Sequence, residues 1–574
     1  MIAFGVSVMA VSCMDLNPKS QMGDEHVWSK AANFTLFANQ FYGWTRDFQS
    51  SLSSMNGVSD GPHSDFRSDL LVGTDENEFN KGVNTIPTTD PNYSGLYKRI
   101  YYTNLLLKNA EAFPDKAAIA APMGEARFFR AYLYFELVQL YGDVILVHEP
   151  LDIDSEKLTG KRNDRLEVIR ACIEDLEEAA RLLPELPAED GRLCGYTAQA
   201  FLSRVALYEG TWQKYHLNNK ETSSELFDKA VKAALEVMED GPYELFYNGT
   251  LGGRDSYRYM FILENVTCNP AKLTRADNKE YILAKRHDEV LKPIGLNITH
   301  AQGSATFPTR KLADMYRCQD GLPISVSPQF KGYKTMASEF DNRDNRMNAV
   351  LLRPGQKHWD NDGKSRTTWD EGDEYYESKD SKNNKCLIAG EIPHDTGYNP
   401  YKWATERSVL DGNEGYDYPV IRLAEIYMNY AEAIYELNGE ISDTQLDASL
   451  NLVRRRSNPQ MKKLSNELVS TNGLDMLEEI RTERTVELFH EGFRIDDLKR
   501  WKTAETEMPG NRVGVKWTDT QYADVWDTQV NPLDEDGCVI RYDGCVWAQR
   551  NYLYPLPSDE RQLNPDLGQN EGWE

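Results

Sequence analysis

At 574 residues the chain has room for several average domains or for one large domain with insertions. With 64 basic and 91 acidic residues its net charge is −27, a sign that repels phosphate backbones and anionic lipid surfaces, so nucleic acid is excluded as an expected partner. A hydrophobic fraction of 40% excludes general disorder and leaves enough apolar side chain for a core.

The first element is an uncharged, mostly apolar run, Ile2 to Ser12, of signal-peptide length and too short to cross a bilayer. It ends in small residues directly before Cys13, and Ala10-Val11-Ser12-Cys13 has the form of a loose lipobox, whose cysteine is diacylated and becomes the mature N-terminus. An ordinary thiol is the alternative reading of Cys13. No Lys or Arg precedes the run, so a start upstream of Met1 stays open. Beyond it nothing approaches about 18 consecutive apolar residues, so the body is expected to be soluble and held by lipid.

Residues 24–50 read as an aromatic-rich helix, followed by a polar loop from Ser53 to Ser68 and a helix from Tyr93 to Phe113. In Gly124 to Asp143, Phe128, Tyr132, Phe135 and Val138 recur at three- and four-residue steps and share one helix face, with Ala131 between them and Gly142 as a stop. Further helices are predicted over Asp164–Leu183, Tyr196–Tyr215, Ser223–Glu239, Tyr418–Leu437 and Asp475–Trp501. Small alanines between large aromatics, in helices joined pairwise, suggest degenerate tetratricopeptide-like hairpins. Residues 241–417 break that pattern with a tract rich in Gly, Asn, Asp and aromatics. The expected fold is therefore mainly α: a helical-repeat scaffold over about 24–240 and 418–502, carrying a loop-rich lobe over about 241–417.

The other cysteines show no CxxC spacing, which argues against a zinc site. Cys538 and Cys545 flank a predicted turn at Tyr542-Asp543-Gly544 and could pair, but scattered buried thiols are the favoured reading. No GxSxG, HExxH, P-loop or dinucleotide fingerprint is present, so no catalytic residue is assigned. Asp360-Asn361-Asp362-Gly363 resembles the start of a calcium loop, yet no glutamate falls at the twelfth position, Glu371 being the nearest. A turn is the commoner use of such a run. No cofactor is expected, with structural calcium a weak alternative.

Several separated segments together resemble the SusD/RagB family of outer-membrane nutrient-binding lipoproteins. They are Cys13 with MDLNP behind it, DFRSDLLVG from Asp65, GEARFFRAYLYFELVQLYGDVILV from Gly124, and GRLCGYTAQAFLSRVALYEGTW from Gly191. FPTRKLADMYRCQDGLPI from Phe307, RLAEIYMNYAEA from Arg422, RTERTVELFHEGFRIDDLKRW from Arg481 and YLYPLPSDERQLNPDLGQNEGW from Tyr552 follow in order, the last forming a terminal signature over 552–574. The resemblance implies a signal segment over 1–12 and one domain over 13–574. It implies a non-catalytic, lipid-anchored protein on the outer face of a Bacteroidetes-type outer membrane. Such a protein binds an oligosaccharide or polysaccharide and caps a SusC-like TonB-dependent transporter.

A sugar site needs aromatic platforms for C–H faces and polar side chains for hydroxyls. Arg353 to Tyr418 has that composition and supplies Arg353, Trp359, Trp369, Tyr398 and Trp403 as candidates. Placement by resemblance adds Asp65, Arg67 and Asp75 from the loop Gly61–Glu78, and His300 and Gln302 from Asn297–Phe307. Burial in the lobe's own core is the alternative for the rings, and plain solvent exposure for the loops. A peptide- or protein-binding helical-repeat lipoprotein is the second reading of function, and a glycan-cleaving enzyme the third.

Overall fold

The computed structural model describes residues 28–52, 61–151, 155, 159–296, 298–299, 306–335, 337–353, 357–359, 365–367, 396–405, 409, 412–525 and 531–574. Cys13, His300, Gln302, Trp369 and the run Asp360–Gly363 lie outside these residues.

The scaffold is a run of antiparallel helices: α1 (Ala31–Ala38), α2 (Pro91–Ala112), α3 (Ala120–Tyr141), α4 (Arg165–Leu182), α5 (Gly195–Tyr215) and α6 (Lys220–Asp240). From α2 to α6 each packs on the next, as helical hairpins in series do. After the lobe, α8 (Leu423–Asn438) continues the row against α6, and α10 (Met476–Leu488) packs on α8; α7 (Gly252–Met260) and α9 (Leu450–Ser457) lie between these in sequence, and α11 (Arg494–Arg500) packs on α5. Starts and stops follow local chemistry. Asp90 accepts the Asn92 amide ahead of Pro91, Asp164 accepts that of Leu166, and Gly142, at φ 72°, ends α3.

The α3 stripe meets α5 through Phe201, whose ring centroid lies 5.4 Å from Phe128, 5.3 Å from Tyr132 and 5.6 Å from Phe135. Gly210 lets α5 and α6 close up, since a Cβ there would sit 2.7 Å from the Phe227 ring. The chain end seals α3: the Tyr554 amide donates to Leu140 O, and Asn570 Nδ2 donates to Tyr141 O at 3.0 Å.

The lobe has little regular structure. Its strands make two-stranded antiparallel pairs: β1 (Leu71–Gly73) with β3 (Thr306–Pro308), β2 (Tyr281–Lys285) with β6 (Tyr418–Arg422), and β4 (Lys357–Trp359) with β5 (Ser365–Thr367); β7 (Gly510–Lys516) pairs with β8 (Cys538–Cys545). One continuous body of buried apolar side chains runs through scaffold and lobe, including Phe128 and Phe201 at one end and Tyr257, Phe261 and Trp403 at the other. Cys538 and Cys545 are buried free thiols at opposite ends of β8, so they do not pair.

Three predicted helices need correction. The described part of the predicted 24–50 helix, from Trp28 on, folds as α1 followed by a 3-10 segment, Asn39–Trp44, and a short helix, Phe48–Ser51. Tyr418–Arg422 is strand, because Tyr-Pro-Val-Ile combines a residue without an amide hydrogen with β-branched side chains. Asp475–Trp501 is two helices, α10 and α11, broken where His490 and Gly492 take φ of 66° and 76°. The His490 amide there donates to the Asp65 carboxylate at 2.6 Å, so a distant loop fixes the break.

Scaffold and lobe are also clamped by buried ion pairs. Arg422, 1% exposed, reaches Glu280 (2.9 Å), Glu487 (2.7 Å) and Glu491 (2.8 Å), while Lys402 of the lobe pairs with Glu491 at 2.5 Å. Arg346 reaches Glu487 at 2.9 Å, and Arg456 contacts both Glu280 and Glu487. Burial alone would raise the Glu487 carboxyl, but Arg456, Arg422 and Arg346 together hold it well below the usual range.

Candidate functional site

Of the seven candidates that the structure describes, three, Trp403, Tyr398 and Asp65, are core. Trp403 is fully buried, edge-on to Phe48 and Phe261 at 5.0 Å each, stacked with Tyr416 at 6.2 Å, and its Nε1 donates to His490 O at 3.2 Å. Tyr398 is buried and donates its hydroxyl to Glu339 at 2.6 Å. A lobe with little secondary structure fills its interior with rings, so these two are corrected from platforms to packing. Asp65 is also buried, and burial pushes its carboxyl up to about 7. Arg67 is half-buried, donates to the Tyr554 hydroxyl and stacks over Phe79. Both hold backbone and rings together. Asp75 is exposed, its carbonyl accepting from the Tyr542 hydroxyl, and Arg353 lies 3.5 Å from Asp341. Trp359 is placed by its backbone, in β4.

A cleft of about 370 Å³ opens instead between residues 43–50, Gly61–His63, the first half of α2 and the α3 face carrying Tyr132, Glu136 and Leu140. Local folding builds its wall. Asp47 caps the short helix Phe48–Ser51, and the turn before it sends Arg46 beneath the surface. The Arg46 amide donates to the Tyr132 hydroxyl at 2.9 Å, Nε to Glu136 at 2.7 Å and Nη2 to Gln139 at 2.8 Å. His63 bridges the same charges, with Nε2 3.0 Å from Glu136 and Nδ1 2.8 Å from Asp496.

This floor is ionic and rigid. Burial opposes charge on His63 and Arg46, yet Asp496 and Glu136 raise both above their ordinary values. Burial would raise Glu136 and Asp496 too, but their cationic neighbours, Arg46 first for Glu136 and His63 first for Asp496, bring each down to about 2. Above the floor the cleft offers the half-buried ring of Trp44, the side chains of Gln49 and Asn92, and the Arg99 guanidinium. Trp44 is steadied by Phe41 at 4.7 Å and Tyr102 at 6.5 Å. An aromatic face beside converging amide, guanidinium and carboxylate groups is the combination a sugar ring requires.

A second cleft, about 590 Å³, lies between α2 and the chain end and is lined by Tyr93, Tyr97, Ile100, Tyr101 and Leu563 among others. It is larger but mostly apolar. Size favours it and sugar chemistry favours the first.

Sequence reading reached His63 only as part of the loop Gly61–Glu78 and missed Trp44, Gln49, Asn92 and Arg99. A signal existed: Gly43-Trp44-Thr45-Arg46-Asp47 is a polar break in the aromatic run, where the helical period fails.

A mainly α, tetratricopeptide-like scaffold with a cleft beside its first hairpin defines the class of protein. A model of the SusD family matches residues 271–573, and a second, described as starch-binding associating with outer membrane, matches residues 14–207. The chain belongs to the SusD family. SusD-like protein P25 of Formosa agariphila is 24% identical over 423 residues, covering 71% of this chain and 69% of that protein. A SusD-like protein of Bacteroides ovatus is 24% identical over 421 residues, 71% of this chain and 65% of its own length. A crystal structure of a SusD-like carbohydrate binding protein from Bacteroides fragilis superposes with a TM-score of 0.70 at 23% identity, covering 94% of this chain and 99% of that one. A SusD-like protein from the same species gives 0.70 at 22% identity over 96% and 98%. At that identity these structures bear on the fold.

Proposed function

We propose that this protein captures an oligosaccharide or polysaccharide in the cleft beside Trp44 and hands it to a SusC-like TonB-dependent transporter. The observation that carries the reading is the cleft itself: one supported indole face with Gln49, Asn92 and Arg99 around it, over a rigid ionic floor. Membership of the SusD family, one of whose matched models is described as starch-binding, supports the ligand class. The description "associating with outer membrane" supports the location. Among the described residues no helix is long and apolar enough to cross a membrane, which fits attachment through a lipid on Cys13, facing outward.

The protein acts as a binder and not as a glycosidase. A general acid for glycoside cleavage needs a raised carboxyl. Glu136 and Asp496, by the floor of the Trp44 cleft, are depressed to about 2, and the raised carboxyls of Asp65, Glu125, Asp314, Glu339 and Glu560 line no part of that cleft.

Calorimetric titration against a glycan panel tests this. A retained glycan is expected to lose at least about tenfold in affinity in Trp44→Ala, as removal of a stacking platform implies. Retention of no glycan, or binding indifferent to Trp44→Ala, overturns it. The apolar cleft by Tyr93, Tyr97 and Tyr101 favours a second reading, peptide capture; binding of apolar peptides with no glycan retained would establish that instead. Release of reducing sugar from a bound glycan would overturn the non-enzymatic assignment.

A further inference from the structure

The charges around the Trp44 cleft do not cancel. On the floor, Arg46 and His63 face Glu136 and Asp496 and close on themselves at 2.7 to 3.4 Å. Asp47 accepts the Ser50 amide at 3.2 Å. Arg99 is different. It lines the cleft, half-buried, and makes no ion pair or hydrogen bond with any described residue.

A second cation stands close to it. Lys285, on β2, is near enough that Arg99 and Lys292 help depress its ammonium below the usual range, burial being the main cause and Asp47 the opposing carboxylate. Its Nζ rests on neutral acceptors, the carbonyls of Gly43 at 2.8 Å and Tyr42 at 3.3 Å. Lys292 is exposed and has no carboxylate partner among the described residues. At Lys285, which lies beside the cleft without lining it, Arg99 and Lys292 are opposed by Asp47, in a chain whose net charge is −27. A local excess of positive charge against that background marks a place for an anion.

Resting on the glycan reading above, we propose that the captured glycan is acidic: an anionic group on a sugar ring, a uronate carboxylate or a sulfate ester, seats against Arg99 while the ring's apolar face lies on Trp44. The geometry suits both contacts. Tyr102, whose ring is 6.5 Å from that of Trp44, lies three residues after Arg99 on α2, so the two share a face about 4.5 Å apart along the axis. A guanidinium presents paired N–H donors that match a carboxylate or sulfate bidentately, and among the described residues none takes those of Arg99. Half-burial strengthens such a pair, and the neighbouring Lys285 keeps the local potential positive.

Titrations of the full chain with oligogalacturonate, with a sulfated galactan oligosaccharide and with a neutral maltooligosaccharide provide the test, each at low and high salt. At least one anionic probe is expected to bind tenfold or more tighter than the neutral one, with affinity falling as salt rises. Which anionic probe wins separates carboxylate from sulfate. Arg99→Ala is expected to cut that affinity at least tenfold, and Arg99→Lys less, with the melting temperature unchanged because Arg99 has no ion-pair or hydrogen-bond partner among the described residues. If the neutral probe binds as well as both anionic ones, or Arg99→Ala leaves anionic binding intact, the acidic assignment falls while glycan capture stands. If no glycan binds, both fall together.

Discussion

Trp403→Ala separates a ligand platform from a core ring. The indole is fully buried, held by Phe48 and Phe261 at 5.0 Å and by Tyr416 and Tyr418 at 6.2 and 6.4 Å, so stiff rings on all sides limit collapse into the vacated space. Truncating a buried Trp to Ala costs about 3–5 kcal/mol, and poor collapse places this site near the upper end. The His490 carbonyl also loses its donor, which is part of that loss. At about 2.1 cal/mol/K per residue, a chain of 574 residues unfolds with an entropy near 1.2 kcal/mol/K, so the loss lowers the melting temperature by about 3–4 °C. Trp403→Phe keeps most of the ring contact and should lose roughly a third as much. Differential scanning calorimetry reads both shifts, and glycan titration of the folded variant below its transition should give wild-type affinity. An unchanged melting temperature with lost glycan binding would refute the packing assignment and restore Trp403 as a platform.

Other variants probe the ionic interior and the cleft. Glu487→Gln leaves Arg346, Arg422 and Arg456 under-compensated in a fully buried place, a loss of about 3–5 kcal/mol, whereas Glu478→Gln, at a side chain 66% exposed, should change the melting temperature by less than about 0.5 °C. His63, raised above 6.5, stabilises the fold fully below pH 6.5 and loses that contribution as pH rises through its higher folded value. Glu136 and Asp496, lowered to about 2, contribute above pH 4.5 and 3.8 and lose it as pH falls toward 2. Melting scans of wild type and His63→Gln from pH 5 to 9 should therefore converge at the alkaline end; a constant gap would refute the charged His63. Trp44→Ala should leave the melting temperature within about 1–2 °C, because the ring is half-exposed, while weakening glycan retention on an affinity gel.

What could be read in the sequence was set by how local each decision is. Arg165–Leu182 falls within a residue of its predicted span because an apolar stripe and the Asp164 cap are both local signals. The α10–α11 break was not legible from periodicity, since an unbroken apolar pattern spans it. Gly492 hinted at it, but His490 enters left-handed backbone in a place where its amide meets Asp65, 425 residues away. Aromatic density misled for a related reason. Trp403 and Tyr398 lie in irregular chain, and irregular chain inside a packed lobe needs rings to fill space that helices would otherwise fill. Trp44 was hidden by the opposite error, a residue near a surface cleft read as part of a buried helix.

The same pairing chemistry marks both the fold and the site. Arg346, Arg422, Arg456, Arg494 and Arg500 are buried and matched to carboxylates, which fixes the lobe on the scaffold through contacts reaching from Glu280 and Lys402 to Glu487 and Glu491. A mismatched charge in that interior would be destabilising by several kcal/mol, so matching there is a condition of folding. At the cleft no such condition holds, because solvent meets the charge when no ligand does. Arg99 has no partner there among the described residues, and a guanidinium so placed beside a supported indole is available for recognition. On the proposed reading, glycan preference can vary by substitution at Trp44, Gln49, Asn92 and Arg99 without disturbing the clamp that holds the fold.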